Sequence, residues 1–317
     1  MLSWLARRLV LAVVLVWVVA TLVFLAIRFV PGDPAEMLLS QGGVSPDAGA
    51  VQELRDQLGL DRPVLQQYFM DLGRAVQGDL GASLQDGSPV SENILRRLPR
   101  TLELILVATV MAVLAGVPAG TLAAIRAGGA FDRVASWVSA LALSVPVFVL
   151  GTLLVLLFAQ RLHWVAAGGY VPLGAAPRQH LALLMLPAVT IAAGLGAAIF
   201  RMTRASVLDV AGQDWVRTAR AKGLGEGRIL VHHMVRNAVT PVVTIVALHM
   251  GSLLGGTVLV EYVFNWPGLS GMLVEAVYAR DYPEVVGIIL VISTLFVALN
   301  LLLDLLYVLL DPRVRHA

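Results

Sequence analysis

Residues 9–27, "LVLAVVLVWVVATLVFLAI", form an apolar run of 19 positions without a single charge. A helix of this length is about 28 Å long, which matches the roughly 30 Å hydrocarbon core of a bilayer. A strand of a membrane barrel would alternate apolar residues with polar residues facing the lumen, and this run does not alternate. The run therefore predicts a transmembrane helix in an all-α integral membrane protein.

Five further apolar runs of at least this length follow along the chain. The composition agrees, because 58% of the residues are hydrophobic, only 14% are charged, and the mean hydropathy is +0.82. A soluble domain does not need this much apolar side chain to fill its core. We predict six transmembrane helices, at residues 9–27, 104–125, 134–160, 181–200, 237–260 and 285–303.

The same composition excludes some classes of site. The chain has no cysteine, so disulfides and cysteine-ligated metal centres are ruled out, and we predict no metal site. Cations lie at the ends of the apolar runs rather than on a separate basic face, so no nucleic-acid partner is expected. The first run resembles a secretory signal in position, but it is longer than such a signal and lacks a small-x-small cleavage site after it. We therefore favour an uncleaved helix.

An even number of spans places both termini on one side of the membrane, and the lysines and arginines indicate which side. The termini and the two loops on their side hold thirteen of these cations, whereas the two short loops opposite hold three. Because positive loops remain in the cytosol, both termini are predicted to be cytosolic. The long outer segment, residues 28–103, is predicted to hold helices at 51–60 and 64–76 and a loop at 77–90.

The predicted spans carry glycine and proline instead of charge at their centres. Proton-coupled carriers commonly hold a central acid or arginine, and intramembrane proteases need catalytic motifs that are missing here, so both classes are disfavoured. "GVPAG" (116–120) and the pair Gly251 and Gly255 have the GxxxG spacing that allows close helix packing, and Pro118, Pro146 and Pro187 permit bends. The candidates for a translocation path are Ser144, Pro146 and His249. Helix packing and a hydrogen bond from His249 to a neighbouring helix remain the structural alternatives.

One polar segment of span length, residues 201–236, lies between the fourth and fifth runs. "VLDVAGQDWVRTARAKG" (207–223) has apolar positions at helical spacing with cations between them. Gly223 is predicted to end this helix, and "LGEGRILVHHMVRN" (224–237) to begin another. The segment is either a rigid cytosolic knob or an interfacial helix on anionic headgroups, and the residues alone leave both open.

Motifs along nearly the whole chain resemble one family. "RTARAKGL" (217–224) followed by "HHMVRNAVTPVVT" (232–244) is similar to the cytosolic loop of permease subunits of bacterial ATP-binding-cassette importers of the dipeptide, oligopeptide and nickel branch. The other motifs that resemble this branch are "ARRLV" (6–10), "FVPGDPA" (29–35), "LGLDRP" (58–63), "GDLGAS" (78–83), "LPRTLEL" (98–104), "LLGGTVLVEYVFNWPGLSGML" (253–273), "RDYP" (280–283) and "DLLYVLLDPRVR" (304–315).

The resemblance implies a type I importer permease core of five spans at residues 99–312, preceded by the first span and an extracytoplasmic helical segment at 1–98. The coupling loop, 201–236, would dock in a cleft of the ATPase. In the superfamily this loop begins Glu-Ala-Ala, with a glycine four residues beyond the second alanine. Ala219 and Gly223 match, whereas Arg217 and Thr218 stand in place of Glu and Ala. The implied coupling residues are Arg217, Thr218, Ala219, Arg220, Ala221, Lys222, Gly223 and Leu224.

The resemblance also implies partners and a location. We expect a multi-pass protein of the bacterial inner membrane that contacts lipid, a homologous second permease, two ATPase subunits and an extracytoplasmic solute-binding protein. No GxxxxGK[ST] phosphate loop occurs, so the chain is not expected to be an enzyme or to bind a cofactor, and ATP and Mg²⁺ would bind to the ATPases. Di- and oligopeptides are the first expectation for cargo, with nickel chelates or glutathione as alternatives. A stand-alone channel or facilitator and a receptor or scaffold are the rivals of other classes.

Overall fold

The computed structural model describes residues 2–29, 34–39, 47–58 and 61–310 of the 317-residue chain. Over these ranges the fold is helical, and the one β feature is an isolated antiparallel bridge between Ala82 and Pro89. The first helices are α1 (Leu2–Arg28), α2 (Pro34–Leu39), α3 (Ala48–Leu58), α4 (Val64–Val76), α5 (Val90–Ile125), α6 (Ala130–Ser144), α7 (Val147–Leu154, continued by a π-helical segment, Val155–Arg161) and α8 (Pro177–Ala211). They are followed by α9 (Asp214–Ala221), α10 (Glu226–Arg228, continued by a π-helical segment, Ile229–Val235), α11 (Arg236–Gly256), α12 (Val258–Val263), α13 (Leu269–Tyr278) and α14 (Tyr282–Leu310).

Four of these helices contain stretches long and apolar enough to cross a membrane, and they belong to α1, α5, α8 and α14. A fifth crossing is reached if α6 and α7 count together as one bent span. The predicted count of six is therefore not confirmed. The predicted fifth span, 237–260, is divided because α11 ends at Gly256, and its apolar stretch, Pro241–Gly256, is shorter than a full span.

The predicted third span, 134–160, is not straight. Its two halves, Ala130–Ser144 and Val147–Arg161, are bent by 105° relative to each other. Val145 is extended, and Pro146, with φ of −56° and ψ of 138°, directly precedes α7. Proline disfavours a helical backbone at the residue before it, which explains the break at Val145. Pro118 and Pro187, in contrast, lie inside the continuous helices α5 and α8.

The chain divides into two compact units. One comprises Met1–Leu98 and Met272–Ala298, and the other comprises Pro99–Gly271 and Leu299–Ala317. The expected linear division at 98/99 has the same first boundary, whereas residues 272–298 group with the N-terminal segment. The motif "FVPGDPA" lies partly outside the described residues, as does the end of the tail motif with Arg313 and Arg315.

Helix α8 is the centre of the second unit. Helices α6, α7 and α11 all pack along it. The predicted glycine spacing 116–120 brings α5 against the same helix, since a Cβ at Gly116 would lie 2.8 Å from the carbonyl oxygen of Gly196. At Gly120 it would lie 2.6 Å from the oxygen of Phe200. These two glycines are therefore required for close helix contact. At Gly255 no atom of the described part of the chain lies within 4 Å of such a Cβ, so the described contacts give this glycine no such purpose.

The first unit includes the helices predicted at 51–60 and 64–76, which are present as α3 and α4. Helix α4 packs on α1 through Tyr68, whose hydroxyl lies 2.7 Å from Thr21 Oγ1 and whose ring contacts Phe24 edge-on at 5.1 Å. Arg28 donates a hydrogen bond to Gln67. The segment 77–89 is irregular, as the sequence predicts.

Candidate coupling segment and transport path

The turn after α9 is a Schellman motif centred on Gly223. The N–H of Leu224 donates to the carbonyl oxygen of Ala219 at 3.3 Å, and the N–H of Gly223 donates to that of Arg220 at 2.9 Å. Gly223 has φ of +76°, a left-handed conformation that costs a residue without a Cβ very little. The sequence prediction that Gly223 ends a helix is confirmed. Among the described residues, no atom lies within 4 Å of a Cβ built at this position, so the backbone conformation is what requires glycine.

The helix before this turn is shorter than predicted. The segment 207–223 was expected to form one amphipathic helix, but α8 continues through Ala211 and α9 begins only at Asp214. Gly212 ends α8, and the extended Gln213, with ψ of 144°, redirects the chain. Helix α8 has 35 residues and is about 52 Å long, so it extends well past the hydrocarbon core before the break.

The two faces of α9 have different surroundings. Val216 and Ala219 are buried in an apolar cluster of the same chain that includes Ile229 and Met234. The other residues of α9 are exposed and mostly polar, and Trp215, 41% exposed, is the one large apolar side chain among them. The exposed candidate coupling residues are Arg217, Thr218, Arg220, Ala221, Lys222 and Gly223, and Leu224 is half-buried against the apolar cluster.

An ion pair connects the two sides of the Gly223 turn. The Nε of Arg220 donates to Oε1 of Glu226 at 2.8 Å, and its Nη2 donates to Oε2 at 3.3 Å. These hydrogen bonds raise the pKa of the Arg220 guanidinium. The pair joins α10 to the end of α9, and Arg217 on α9 and Lys222 directly after it are exposed cations.

The three candidates for a translocation path lie at two separate places, the bend between α6 and α7 and the middle of α11. Ser144 and Pro146 flank the bend, where Ser144 Oγ donates to the carbonyl oxygen of Ala140 at 2.8 Å. His249 lies on α11, where its Nδ1 donates to the carbonyl oxygen of Ile245 at 3.0 Å. This hydrogen bond is to its own helix, whereas the structural alternative in the sequence analysis was a bond to a neighbouring helix.

A buried carboxylate that the sequence analysis missed lies after α11. Glu261 is 1% exposed, and its oxygens accept hydrogen bonds from Thr101 Oγ1 at 2.8 Å, Thr257 Oγ1 at 3.1 Å and the Gly271 N–H at 2.7 Å. Burial raises the pKa of Glu261, and these hydrogen bonds act in the opposite direction. The carboxylate lies against Gly268, where a Cβ would be 2.2 Å from Oε1. The sequence feature that could have identified Glu261 is its position inside the family motif 253–273.

The same contacts join family motifs that are far apart in the sequence. Thr101, in motif 98–104, also accepts the Leu269 N–H at 2.7 Å, and Trp266 Nε1 donates to the carbonyl oxygen of Arg100 at 3.1 Å. In the first unit, Ser83 of motif 78–83 donates to the buried Asp281 of motif 280–283 at 2.5 Å. The motifs therefore work in pairs that fix irregular segments to helix ends.

Two further polar pairs were also missed, because their members lie at the ends of spans and not at the centres. His180, 1% exposed, shares a hydrogen bond of 2.8 Å with Glu103. Arg204 on α8 makes a two-point contact with the buried Asp132 on α6, at 2.6 and 2.8 Å. Neither pair has a sequence signal stronger than an acid and a base near the ends of apolar runs.

Comparison with known proteins gives matches over the whole chain. A family described as "Binding-protein-dependent transport system inner membrane component" matches residues 116–316, and its N-terminal companion family matches residues 1–105. The "Glutathione transport system permease protein GsiC" of Escherichia coli (strain K12) is 40% identical over 316 residues, covering 100% of both chains. The protein of the same name from Shigella flexneri serotype 5b (strain 8401) is 39% identical with the same coverage.

A solved structure shows the same fold. The chain is similar to a chain of the MetNI methionine ABC transporter in an inward-facing conformation, with a TM-score of 0.55 and 17% sequence identity. The likeness covers 69% of this chain and 96% of that chain. At this identity the match is evidence for the type I permease fold alone.

The matched family and the whole-length relatives agree with the helical membrane fold and with the motifs that the structure joins in pairs. The chain therefore belongs to the binding-protein-dependent transport system inner membrane component family and is a multi-pass inner-membrane permease subunit of a bacterial ABC importer of the peptide and nickel branch.

Proposed function

We propose that α9 and the Gly223 turn are the docking element for an ATPase subunit, and that this chain works in an importer with a second permease, two ATPases and an extracytoplasmic solute-binding protein. The observation that carries the proposal is the orientation of α9. Its apolar residues Val216 and Ala219 are already buried in the chain's own cluster, and its cationic face is exposed.

An interfacial helix on the membrane needs its apolar face free to enter the acyl region. On α9 that face is occupied, which disfavours the lipid-surface alternative. A rigid helix with a capped end, an ion-paired turn and one exposed tryptophan instead suits a preformed protein cleft, where Trp and Arg commonly contribute most binding energy. The residues assigned to docking are those exposed on α9 and at the turn, from Arg217 to Gly223, with Leu224 holding the turn to the cluster.

In this proposal the chain itself hydrolyses nothing and holds no cofactor, while the ATPase partners bind ATP and Mg²⁺. The core comprises residues 99–312, the coupling loop comprises 201–236, and residues 1–98 supply the first span and an extracytoplasmic segment. Both termini are cytosolic, as the distribution of cations in the sequence favours. Nucleotide-driven closure of the ATPases moves the loop, which is a two-state element rather than a chemical site.

For cargo, we propose short peptides, with glutathione as the first compound to test. The relatives named for glutathione transport match this chain over its full length at 39–40% identity, which supports that choice over the nickel alternative. The nickel alternative depends on His249, whose imidazole suits a metal. If nickel chelates are carried, His249→Ala reduces nickel accumulation strongly. If it leaves both nickel and glutathione uptake unchanged, His249 serves only α11, through its bond to Ile245.

Site-specific cross-linking tests the docking proposal directly, because the chain has no cysteine of its own. A cysteine at Thr218, on the exposed face of α9, is expected to cross-link to a co-expressed ATPase subunit in membranes. The control is a cysteine at Leu248, which is 57% exposed on α11 and lies in a predicted span. Cross-linking from Thr218→Cys to lipid analogues only, with no ATPase captured, would refute docking and restore the interfacial alternative. Conduction by the purified chain alone would favour a channel.

A further inference from the structure

Helix α6 has an unusual interface with the rest of its unit. It packs along α8, yet only Asp132 and Ser139 among its fifteen residues are buried. Its large apolar side chains are exposed, and Trp137 is 72% exposed. The half-buried residues on the same side as Asp132 and Ser139 are Ala135, Ser136 and Ala142. Helix α6 thus contributes only small side chains and one carboxylate to this interface.

Small side chains allow close approach but interlock weakly, so they do not fix the rotation or register of a helix as strongly as large ones do. The hydroxyl of Ser139 adds no fixed point, because it is buried without a hydrogen-bond partner among the described residues. What fixes the cytosolic end of α6 is therefore the polar contact at Asp132.

That contact is well defined on both oxygens of the carboxylate. Arg204 Nε donates to Oδ1 at 2.6 Å, and Nη2 donates to Oδ2 at 2.8 Å. The Gly128 N–H also donates to Oδ2 at 2.9 Å, so the Asp132 carboxylate binds both the loop before α6 and Arg204 of α8. A two-point contact between a guanidinium and a carboxylate fixes orientation as well as distance, which a single charge contact does not do.

Arg204 lies on a part of α8 that is in close backbone contact with α5 and that leads to the coupling segment. A Cβ at Gly120 of α5 would be 3.2 Å from the backbone nitrogen of Arg204, so the two helix backbones are in close contact there. Seven residues later α8 ends at Ala211, and α9 begins at Asp214. Arg204 is therefore about 10 Å of helix from the break that precedes the coupling segment.

The far end of α6 is the 105° bend before α7. We propose that the ion pair of Asp132 and Arg204 is the positioning contact through which movement of α9 reaches this bend. The inference rests on the proposed docking of α9. When the cytosolic end of α8 moves, the ion pair makes Asp132 move with it. Helix α6 then rotates relative to α8, because the small side chains between the two helices allow them to slide. Without the ion pair, α6 still packs on α8, but movement of α8 is no longer transmitted to α6.

The test measures the bend in the assembled complex. Spin labels on cysteines placed at Val138 on α6 and Leu153 on α7, both exposed, report the distance across the bend. The complex with the second permease, the ATPases and the solute-binding protein is measured without nucleotide and with ATP trapped by vanadate. We expect a nucleotide-dependent distance change in the parent protein and its loss in Asp132→Asn. The matched control is Asp209→Asn, the same change at an exposed acid of α8.

A second readout separates positioning from mere stability. In proteoliposomes, Asp132→Asn is expected to hydrolyse ATP with its ATPases retained, while glutathione uptake per ATP hydrolysed falls well below that of the parent. Arg204→Lys keeps the charge but not the two-point contact, so its glutathione uptake per ATP is expected to lie between those of the parent and Asp132→Asn. It replaces Asp132→Asn as the test variant if Asp132→Asn does not accumulate in the membrane. A distance change that persists in Asp132→Asn would overturn the proposal.

The outcomes also separate this inference from the proposed function. If the parent complex assembles and hydrolyses ATP but the distance across the bend is the same in both states, docking stands and the positioning role is refuted. If no ATPase associates with the parent chain, the docking proposal fails, and the inference fails with it.

Discussion

Substitutions at Gly223 are expected to change mainly the free-energy cost of the left-handed backbone conformation. The φ of Gly223 is +76°, and a Cβ at this position meets no atom of the described residues within 4 Å. The Cβ itself therefore adds no clash, and the cost expected for a substitution is that of the left-handed backbone. We expect about 1 kcal/mol for Gly223→Ala and about 2–3 kcal/mol for the β-branched Gly223→Val, with Gly223→Asn lower than either because asparagine tolerates this conformation.

This strain weakens docking, because the native turn is the conformation that the ATPase binds. A loss of 1 kcal/mol corresponds to about fivefold in the dissociation constant, and 2–3 kcal/mol to about 30- to 150-fold. The assay is titration of purified ATPase onto the permease pair in nanodiscs, together with transport. Membrane insertion is expected to be normal, since the apolar runs that insert do not contain Gly223.

Gly227 provides the matched control. It lies on the same segment, in the helical backbone of α10, and a Cβ there also meets no atom within 4 Å in the part of the chain that the structure describes. Gly227→Val is expected to bind the ATPase like the parent. If Gly223→Val also binds and transports normally, or if the order Asn, Ala, Val is not followed, then the turn does not determine docking and the reasoning is refuted.

Three further predictions follow from other contacts. Gly120→Ala places a methyl group 2.6 Å from a carbonyl oxygen of α8, so we expect a lower yield of folded protein and a lower Tm, whereas Gly255→Ala, with open space around it, is expected to be neutral. Glu261→Gln loses one of three accepted hydrogen bonds and is expected to lower stability by about 1–3 kcal/mol. Burial raises the pKa of Glu261, so its contribution to the free energy of unfolding is present below the ordinary value of about 4.5 and is lost as pH rises through the raised pKa. The fall of Tm with rising pH in this window is expected to be smaller in Glu261→Gln than in the parent, and to persist in part because burial raises the pKa of another acid as well. An equal slope in the two proteins would argue against this origin. For orientation, Ser88→Cys is expected to react with an impermeant maleimide in intact cells and Gly227→Cys is not, and the reverse pattern would overturn the cytosolic placement of the coupling loop.

Much of the membrane architecture could be predicted because its causes are local. A run of 19 apolar residues is sufficient to indicate a helix in a bilayer, since the backbone must satisfy its own hydrogen bonds there. The glycine at 223 was predictable for a similar reason, because a helix that ends and turns needs a residue that accepts positive φ. The GxxxG spacing at 116–120 likewise pointed to close packing, which the structure places between α5 and α8.

The number and shape of the spans could not be read in the same way. The run 134–160 is apolar throughout, and hydropathy does not register the 105° bend at Val145 and Pro146. The run 237–260 is likewise continuous in hydropathy, although its helix ends at Gly256. Proline and glycine mark where a break is permitted, but packing against neighbouring helices decides whether it occurs, since α8 continues without interruption through Pro187.

The sequence by itself thus determined a helical membrane protein, the place of its polar loop and the family that its motifs resemble. Only the tertiary structure decided which polar residues meet. Thr101 and Glu261 are 160 positions apart, and Ser83 and Asp281 are 198 apart, yet each pair shares a hydrogen bond. A buried acid must find donors wherever the fold provides them, because leaving it unpaired is costly. The partner is therefore set by which helices pack together, which is a property of the whole fold and not of the residues beside it.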